Sequence, residues 1–442
     1  MKIRVLPLSH APEELSVVVP GDKSIAHRAL ILASLAQGTS VIENVPANLD
    51  CRATSDVLTA LGATIARDAQ GSTIVLGLGG ELTPPRRVLD CANSGTTARL
   101  MAGVLASQPF RAVLDGDASL RGRPMRRVAR PLREMGAQIR TSGRMGTLPM
   151  TVQGHTLSAT QAIPTPASAQ VKGAILLAAL RAKGTTTVME RTVTRDHMER
   201  LLPMFGVEIA TNGTQCSLRG GQSLRPAYLR VPGDFSSAAF WLGLAAAVPS
   251  LRLVVRGVSL NPTRLGFVDL LMRMGARIRE EVIVWQCDEW SGHLDIRGAR
   301  LQGIDVPPSC VPLIIDEIPI LAVIASMAVG VTTVRGAEDL RRKECDRIQA
   351  ICANLRAMGV DIEEFPDGFT IRGRGRLRGA EVHSYGDHRI AMAFAIAGLL
   401  AEEETILHGA DCLSISYPGF LDDVLPDHFR RIETETSFFS SV

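Results

Sequence analysis

The chain has 442 residues, 46% of them hydrophobic and 21% charged, the composition of an ordinary soluble globular protein with enough length for two domains. A net charge of +3 lacks the basic excess of a dedicated nucleic-acid binder, so no nucleic-acid partner is expected and any cationic site has to be local. Eight cysteines without a CxxC pair or zinc-type His spacing read as reduced thiols with no metal, and no apolar run is long enough to span a bilayer, which predicts a cytoplasmic protein with no membrane partner.

The first informative stretch is Val19 to Arg28, VPGDKSIAHR. Pro20 and Gly21 interrupt what precedes, Ser24 is the expected N-cap, and the residues from Ile25 onward form an apolar helix. Lys23, Ser24 and Arg28 then stand where unpaired backbone N–H groups and the positive end of the helix dipole favour an anion. A capped helix with two solvated cations accounts for this motif equally well. VPGD recurs, however, at Val231–Asp234, again before an apolar helix.

An apolar helix opened by small or polar residues occurs six times: Ile25–Gln37, Thr97–Ser107, Val171–Ala182, Ser236–Val248, Ile318–Val329 and His388–Leu400. The starts fall at intervals of roughly seventy residues. A second recurrent tag runs a helix through a glycine into a strand, at Gly62, Gly136, Gly206, Gly275 and Gly359, each suited to a left-handed C-cap. Runs such as GTSVIENV, GTTTVMERT and GVTTVRGAE supply β-branched strands between them.

Six α/β units, split three and three by the doubled VPGD, predict two similar domains. The first covers 20–232 and the second 1–19 plus 233–442, with hinge crossings near 19–21 and 231–234 and a cleft between them.

If the six helix starts are equivalent, the loops before them converge on that cleft. Asn93-Ser94-Gly95 lets a ligand approach backbone closely, although NSGT is also a common turn. Ser168, Ala169 and Gln170 open the third helix. The loop from Asp117 to Arg127 holds Arg123 among other guanidinium groups, and Arg195 lies in the matching loop of the third unit. In the second half, Asp316 precedes a helix, where N-capping competes with a chemical role. Lys343, Glu344 and Arg347 are expected in the first turns of a helix ending at Met358, with Lys343 and Arg347 on one face, and Arg389 opens the last helix. Taken singly, these are caps and surface charges. Cations at most of six matching positions point instead to a clamp for polyanionic ligands.

The segments VPGDKSIAHRALILASL, NSGTTARL, GDASLRGRPM, ASAQVKGAILLAAL, IDEIPILAV, LRRKECDRI and YGDHRIAMAF, in this order over nearly the whole chain, resemble the 5-enolpyruvylshikimate-3-phosphate synthase family. The resemblance implies two domains of three βαβαββ repeats each, an inside-out α/β barrel of the enolpyruvyl transferase type with the active site in the interdomain cleft. It implies an enzyme of the shikimate pathway to chorismate and aromatic amino acids. That enzyme moves the enolpyruvyl group of phosphoenolpyruvate to the 5-hydroxyl of shikimate 3-phosphate and releases phosphate, as a monomer without metal or organic cofactor.

By motif, the resemblance assigns shikimate 3-phosphate to Lys23, Ser24, Arg28, Ser168, Ala169, Gln170, Arg195, Asp316 and Lys343. It assigns phosphoenolpyruvate to Lys23, Asn93, Gly95, Arg123, Gln170, Arg347 and Arg389. Asp316 resembles the family's proton acceptor, and Glu344 or Lys23 is the proton donor. Gly95 leaves room beside phosphoenolpyruvate, which suggests inhibition by glyphosate.

The chain departs from the pattern in lacking a Lys at Leu413–Tyr417, and Arg195 stands where some members use Ser and Tyr hydroxyls. A related transferase acting on UDP-N-acetylglucosamine shares the repeats but relies on a loop Cys that Gly116–Met125 lacks. A noncatalytic anion-binding repeat protein would not require Asp316 and Glu344 among the cations.

Overall fold

The computed structural model describes residues 1–8 and 12–432. Six helices form its centre: Lys23–Leu35, Gly95–Ala106, Ala169–Ala179, Phe235–Ala247, Ile318–Met327 and His388–Leu400. They are apolar on all sides, as a helix must be if it is surrounded by protein. In the fourth, every residue from Phe235 to Ala246 is buried. The outer helices are one-sided, as in Arg126–Glu134, which buries Val128, Ala129 and Leu132 and exposes Arg126, Arg130 and Arg133.

Five of the six central helices carry a side-chain cap: Asp22, Ser94, Ser168, Asp234 and Asp387 each accept from a backbone N–H of the first turn. Ser24 is therefore not the cap expected from sequence. Asp22 has extended backbone and its carboxylate takes the Ile25 N–H at 2.9 Å, so the helix has already begun at Lys23 and the Ser24 side chain is free to face the cleft. The five tag glycines all have positive φ, from +78° at Gly206 to +113° at Gly136.

The strands form six separate four-stranded sheets outside the helices, and none closes into a barrel among the described residues. The second unit shows the pattern. Leu89–Asp90 runs parallel to Arg111–Asp115, which pairs antiparallel with Thr147–Gln153, itself bordered by Gln138–Ser142. Distant parts of the chain complete three of the sheets. Tyr228–Arg230 supplies the parallel strand of the first unit and Glu14–Val18 that of the fourth. Lys2–Val5 and Phe429–Ile432 stand in the sixth where other units have a local hairpin.

Two hydrophobic cores result. One is built from residues between Ile25 and Val231 with Cys287, the other from Ile3–Val19 and Phe235–Phe429. The surrounding parts of the chain are the first and second lobes. At the crossings the two VPGD segments lie side by side: Gly21 bridges Gly233, the Asp22 N–H donates to the Pro232 carbonyl at 2.7 Å, and the Asp234 N–H donates to the Pro20 carbonyl at 2.8 Å. No single helix is long and apolar enough to cross a membrane among the described residues.

The second and third central helices pack closely enough that a Cβ on Gly103 would lie 2.1 Å from the Ala174 carbonyl oxygen. Gly103→Ala is expected to cost about 1–3 kcal/mol by forcing these backbones apart, read as a lower urea midpoint at unchanged slope.

Candidate active site

A cleft of about 390 Å³ lies between the lobes, and the starts of central helices from both lobes open into it. Lys23, Ser24, Gly95, Arg123, Ser168, Ala169, Gln170 and Arg195 line it from the first lobe. Asp316, Lys343, Glu344, Arg347 and Arg389 line it from the second. Two residues expected in the site stand behind this surface. Arg28 is buried, and its guanidinium donates to the Ser24 carbonyl at 2.8 Å and the Ala169 carbonyl at 3.3 Å, tying two helix starts together. Asn93 accepts from Arg123 at 2.6 Å and donates to Asp117 at 2.7 Å, so it holds the turn and the Arg123 fork.

Asp316 is the centre of the charge arrangement. Arg195 reaches it from the first lobe at 2.6 Å, Arg347 lies at 3.4 Å and Arg389 at 3.5 Å. Glu317, not Asp316, occupies the N-cap position and makes no capping bond, so Asp316 is not spent on the helix. Burial pushes the Asp316 carboxyl toward its neutral form, but Arg389, Arg195, Lys343 and Arg347 outweigh it and hold its pKa well below the ordinary range. Glu344 is held the same way. It lies 2.7 Å from Arg347 and 3.1 Å from Arg123 of the opposite lobe. Burial raises its pKa, and Arg347, Arg123, His388 and Lys343 bring it well below normal. Lys23 pairs with Asp50 at 2.8 Å.

The Lys343–Arg347 stretch differs from the expected helix. A 3-10 turn covers Glu338–Arg342, Lys343 is extended, and the helix begins only at Arg347, because Asp346 caps it by accepting from the Gln349 N–H. Lys343 and Arg347 meet around Asp316 through this bend rather than through one helix face. The segment 413–418, where a late Lys was missing, contributes nothing to the cleft lining.

A sequence profile of the EPSP synthase (3-phosphoshikimate 1-carboxyvinyltransferase) family matches residues 11–424. A 3-phosphoshikimate 1-carboxyvinyltransferase of Desulfitobacterium hafniense is 47% identical over 424 residues, covering 95% of this chain and 96% of the relative. The chain belongs to the EPSP synthase family. A relative with the same name from Gloeobacter violaceus is 48% identical over 421 residues, 95% of this chain and 96% of its own length. The solved EPSP synthase of Acinetobacter baumannii superposes with a TM-score of 0.84 at 39% identity, over 98% of this chain and 99% of that one. The enolpyruvyl transferase NikO of Streptomyces tendae, at 17% identity and a TM-score of 0.77 over 96% of this chain and 97% of its own, shares the fold.

This member of the EPSP synthase family also places in the cleft residues that the motif reading passed over. Arg99 donates to Gln170 at 2.6 Å, and Gln170 donates to Thr96 at 2.9 Å. Burial, with Arg127 and Arg123 nearby, lowers the Arg99 pKa to about 9. Its position four residues after Gly95 was a legible signal, since both share a helix face. Asp50 was not legible, because it sits in the first turn of an outer helix, Leu49–Ala60, rather than at a central helix start. Arg127 and Asp339, 3.1 Å apart across the cleft, became evident only with both lobes in place.

Because the Asp316 and Glu344 pKa values are depressed in the fold, their ionised forms stabilise it fully above the unfolded carboxylate value near pH ~4. That contribution is lost as pH falls through the lower folded values. Glu344→Gln should therefore flatten the acid-side loss of stability below pH ~4, measured by urea unfolding at stepped pH, and leave the slope between pH ~5 and ~7 unchanged.

Proposed function

We propose that this cleft transfers the enolpyruvyl group of phosphoenolpyruvate to the 5-hydroxyl of shikimate 3-phosphate, releasing phosphate, as a step toward chorismate and the aromatic amino acids. The observation that carries this reading is the pairing of Asp316 and Glu344 with cations from both lobes inside one cleft. Two anionic substrates repel each other in a poorly solvated space, and fixed guanidinium and ammonium groups offset that repulsion. In this reading the parts 20–232 and 1–19 plus 233–442 act as domains that close about the doubled VPGD. One chain supplies both substrate subsites, which supports a monomer, and the enzyme works in the cytoplasm.

Shikimate 3-phosphate lies against Lys23, Ser24, Ser168, Gln170, Arg195 and Lys343, with Arg28 and Ala169 fixing the edges of that subsite. Phosphoenolpyruvate lies against Gly95, Arg123, Arg347 and Arg389, on the turn that Asn93 braces. Asp316 takes the 5-hydroxyl proton. Alone with three guanidinium groups it is a weak base. When Arg195 and Arg389 turn toward substrate anions their pull on Asp316 falls, and its pKa rises toward one useful for general-base catalysis.

The methylene carbon receives a proton from Lys23 or Glu344. Lys23 is held in the cleft by its ion pair with Asp50. Glu344 serves only after taking one up, because its cations hold it ionised. Arg123, Arg347 and Arg389 stabilise charge on the departing phosphate.

Phosphate release from the two substrates tests the reaction. Asp316→Ala should lower kcat by about 10²–10⁴-fold in a folded protein, and a fully active Asp316→Ala removes the base assignment. A Cβ on Gly95 would lie 2.9 Å from an Arg99 nitrogen and 3.4 Å from one of Arg123. Gly95→Ala should thus raise the phosphoenolpyruvate KM by about tenfold while moving the shikimate 3-phosphate KM far less. The same variant should lose sensitivity to glyphosate, which steady-state inhibition would show.

A further inference from the structure

The turn Asn261–Arg264 follows the strand Arg252–Ser259 of the second lobe and lines no part of the cleft. Its polar groups are nevertheless among the most deeply buried in the molecule, with Asn261 at 0% and Arg264 at 1% exposure. A buried guanidinium and amide are tolerated only if their partners are well placed, so those partners indicate what the turn holds.

Arg264 donates to the Ser236 hydroxyl at 2.6 Å and lies 3.4 Å from Asp234, 3.7 Å from Asp22 and 3.8 Å from Glu317. Asp22 and Asp234 cap the first and fourth central helices at the two crossings between lobes. Asn261 uses both hydrogens of its amide, one of them across the lobe boundary. It donates to Asp196 at 2.7 Å and to Glu289 at 2.6 Å, while His197 sits 3.2 Å from the same Glu289 oxygen. Ser259 completes the Glu289 carboxylate at 2.7 Å.

Three of the groups held by this turn are immediate chain neighbours of cleft residues. Asp22 precedes Lys23, Asp196 follows Arg195, and Glu317 follows Asp316. Those three cleft residues come from both lobes, and their separation has to be right within a fraction of an ångström for a proton and an anion to be handled together.

Resting on the enolpyruvyl-transfer reading above, we propose that Asn261 and Arg264 are positioning residues for that reaction. From one turn beside the crossings they set the relative placement of Lys23, Arg195 and Asp316. Neither touches substrate; each acts through the neighbour it holds.

A double-mutant cycle between Asn261→Ala and Arg195→Ala tests this, read by phosphate release with the full-length protein. Asn261→Ala is expected to raise the shikimate 3-phosphate KM by about tenfold when Arg195 is present and by less than about twofold when it is absent. An equal effect in both backgrounds, or none in the first, overturns the proposal, because a merely structural role would add independently of Arg195.

If Asn261→Ala does not fold, Arg264→Lys decides. It keeps the charge but loses the fork, and kcat should fall by about tenfold or more with the thermal midpoint within a few degrees of the parent. An unchanged kcat overturns the proposal. A parent protein that releases no phosphate from the two substrates overturns the reaction itself, and the positioning role with it, so the two failures are told apart by the parent alone.

Discussion

Five of the six central helices open at their N-terminal ends into the gap between the lobes, and that orientation constrains everything placed there. Positive helix ends and the cations beside them raise the potential of a poorly solvated cleft, where an uncompensated guanidinium is costly. Asp316 and Glu344 answer that cost. Cations led by Arg389 and Arg195 at Asp316 and by Arg347 and Arg123 at Glu344 outweigh burial, so both carboxyls stay ionised in surroundings that would otherwise protonate them. The cations are in turn fixed in orientation by the carboxylates. The cleft is thereby organised for anions by an internal set of anions, and an incoming phosphate or carboxylate gains by exchange rather than by neutralising a bare charge.

The fold makes this convergence possible by putting the helices inside. A central helix surrounded by other helices and by sheets needs apolar residues on all sides and small ones where backbones meet. Gly103 against Ala174 is one such meeting. The chain's route then ties the lobes together from its far ends. Glu14–Val18 joins the fourth unit's sheet, Tyr228–Arg230 returns to the first, and Lys2–Val5 lies between strands of the sixth. Glu14–Val18 and Tyr228–Arg230 each run directly into a crossing, which is why two VPGD segments lie side by side and why their aspartates can share Arg264.

Much of this was legible from local chemistry because a capped apolar helix is a strong and repeated signal. The starts and ends of the central helices differ from the sequence reading by a few residues at most, and His388–Leu400 coincides with it. What failed were inferences that competing local caps decide. Ser24 lost to Asp22, and the helix carrying Arg347 begins at that residue rather than including Lys343 and Glu344, because Asp22 and Asp346 hold the extended backbone and accept the first-turn N–H of a cap. Contacts between residues hundreds of positions apart, such as Arg127 with Asp339, have no local signature at all. The turn Asn261–Arg264 went unnoticed for the same reason. A single Asn and Arg in a loop carry no periodicity, and their importance lies entirely in partners drawn from other units.

The contacts between lobes fall into two kinds that behave differently when an anion arrives. On the cleft side, Arg195–Asp316, Arg123–Glu344 and Arg127–Asp339 join first-lobe cations to second-lobe carboxylates. A substrate anion competes for those same cations, so binding loosens some cross-lobe ion pairs even as the ligand bridges the lobes itself. On the crossing side, Arg264 and Asn261 are enclosed, and their partners are helix caps and carboxylates that stand outside the cleft lining. The second set can therefore hold the lobes in register while the first is exchanged. Were both sets exchangeable, the displaced Asp316 would be free of its cations but also free of any fixed distance from Lys23, and the gain in basicity would be lost to misplacement.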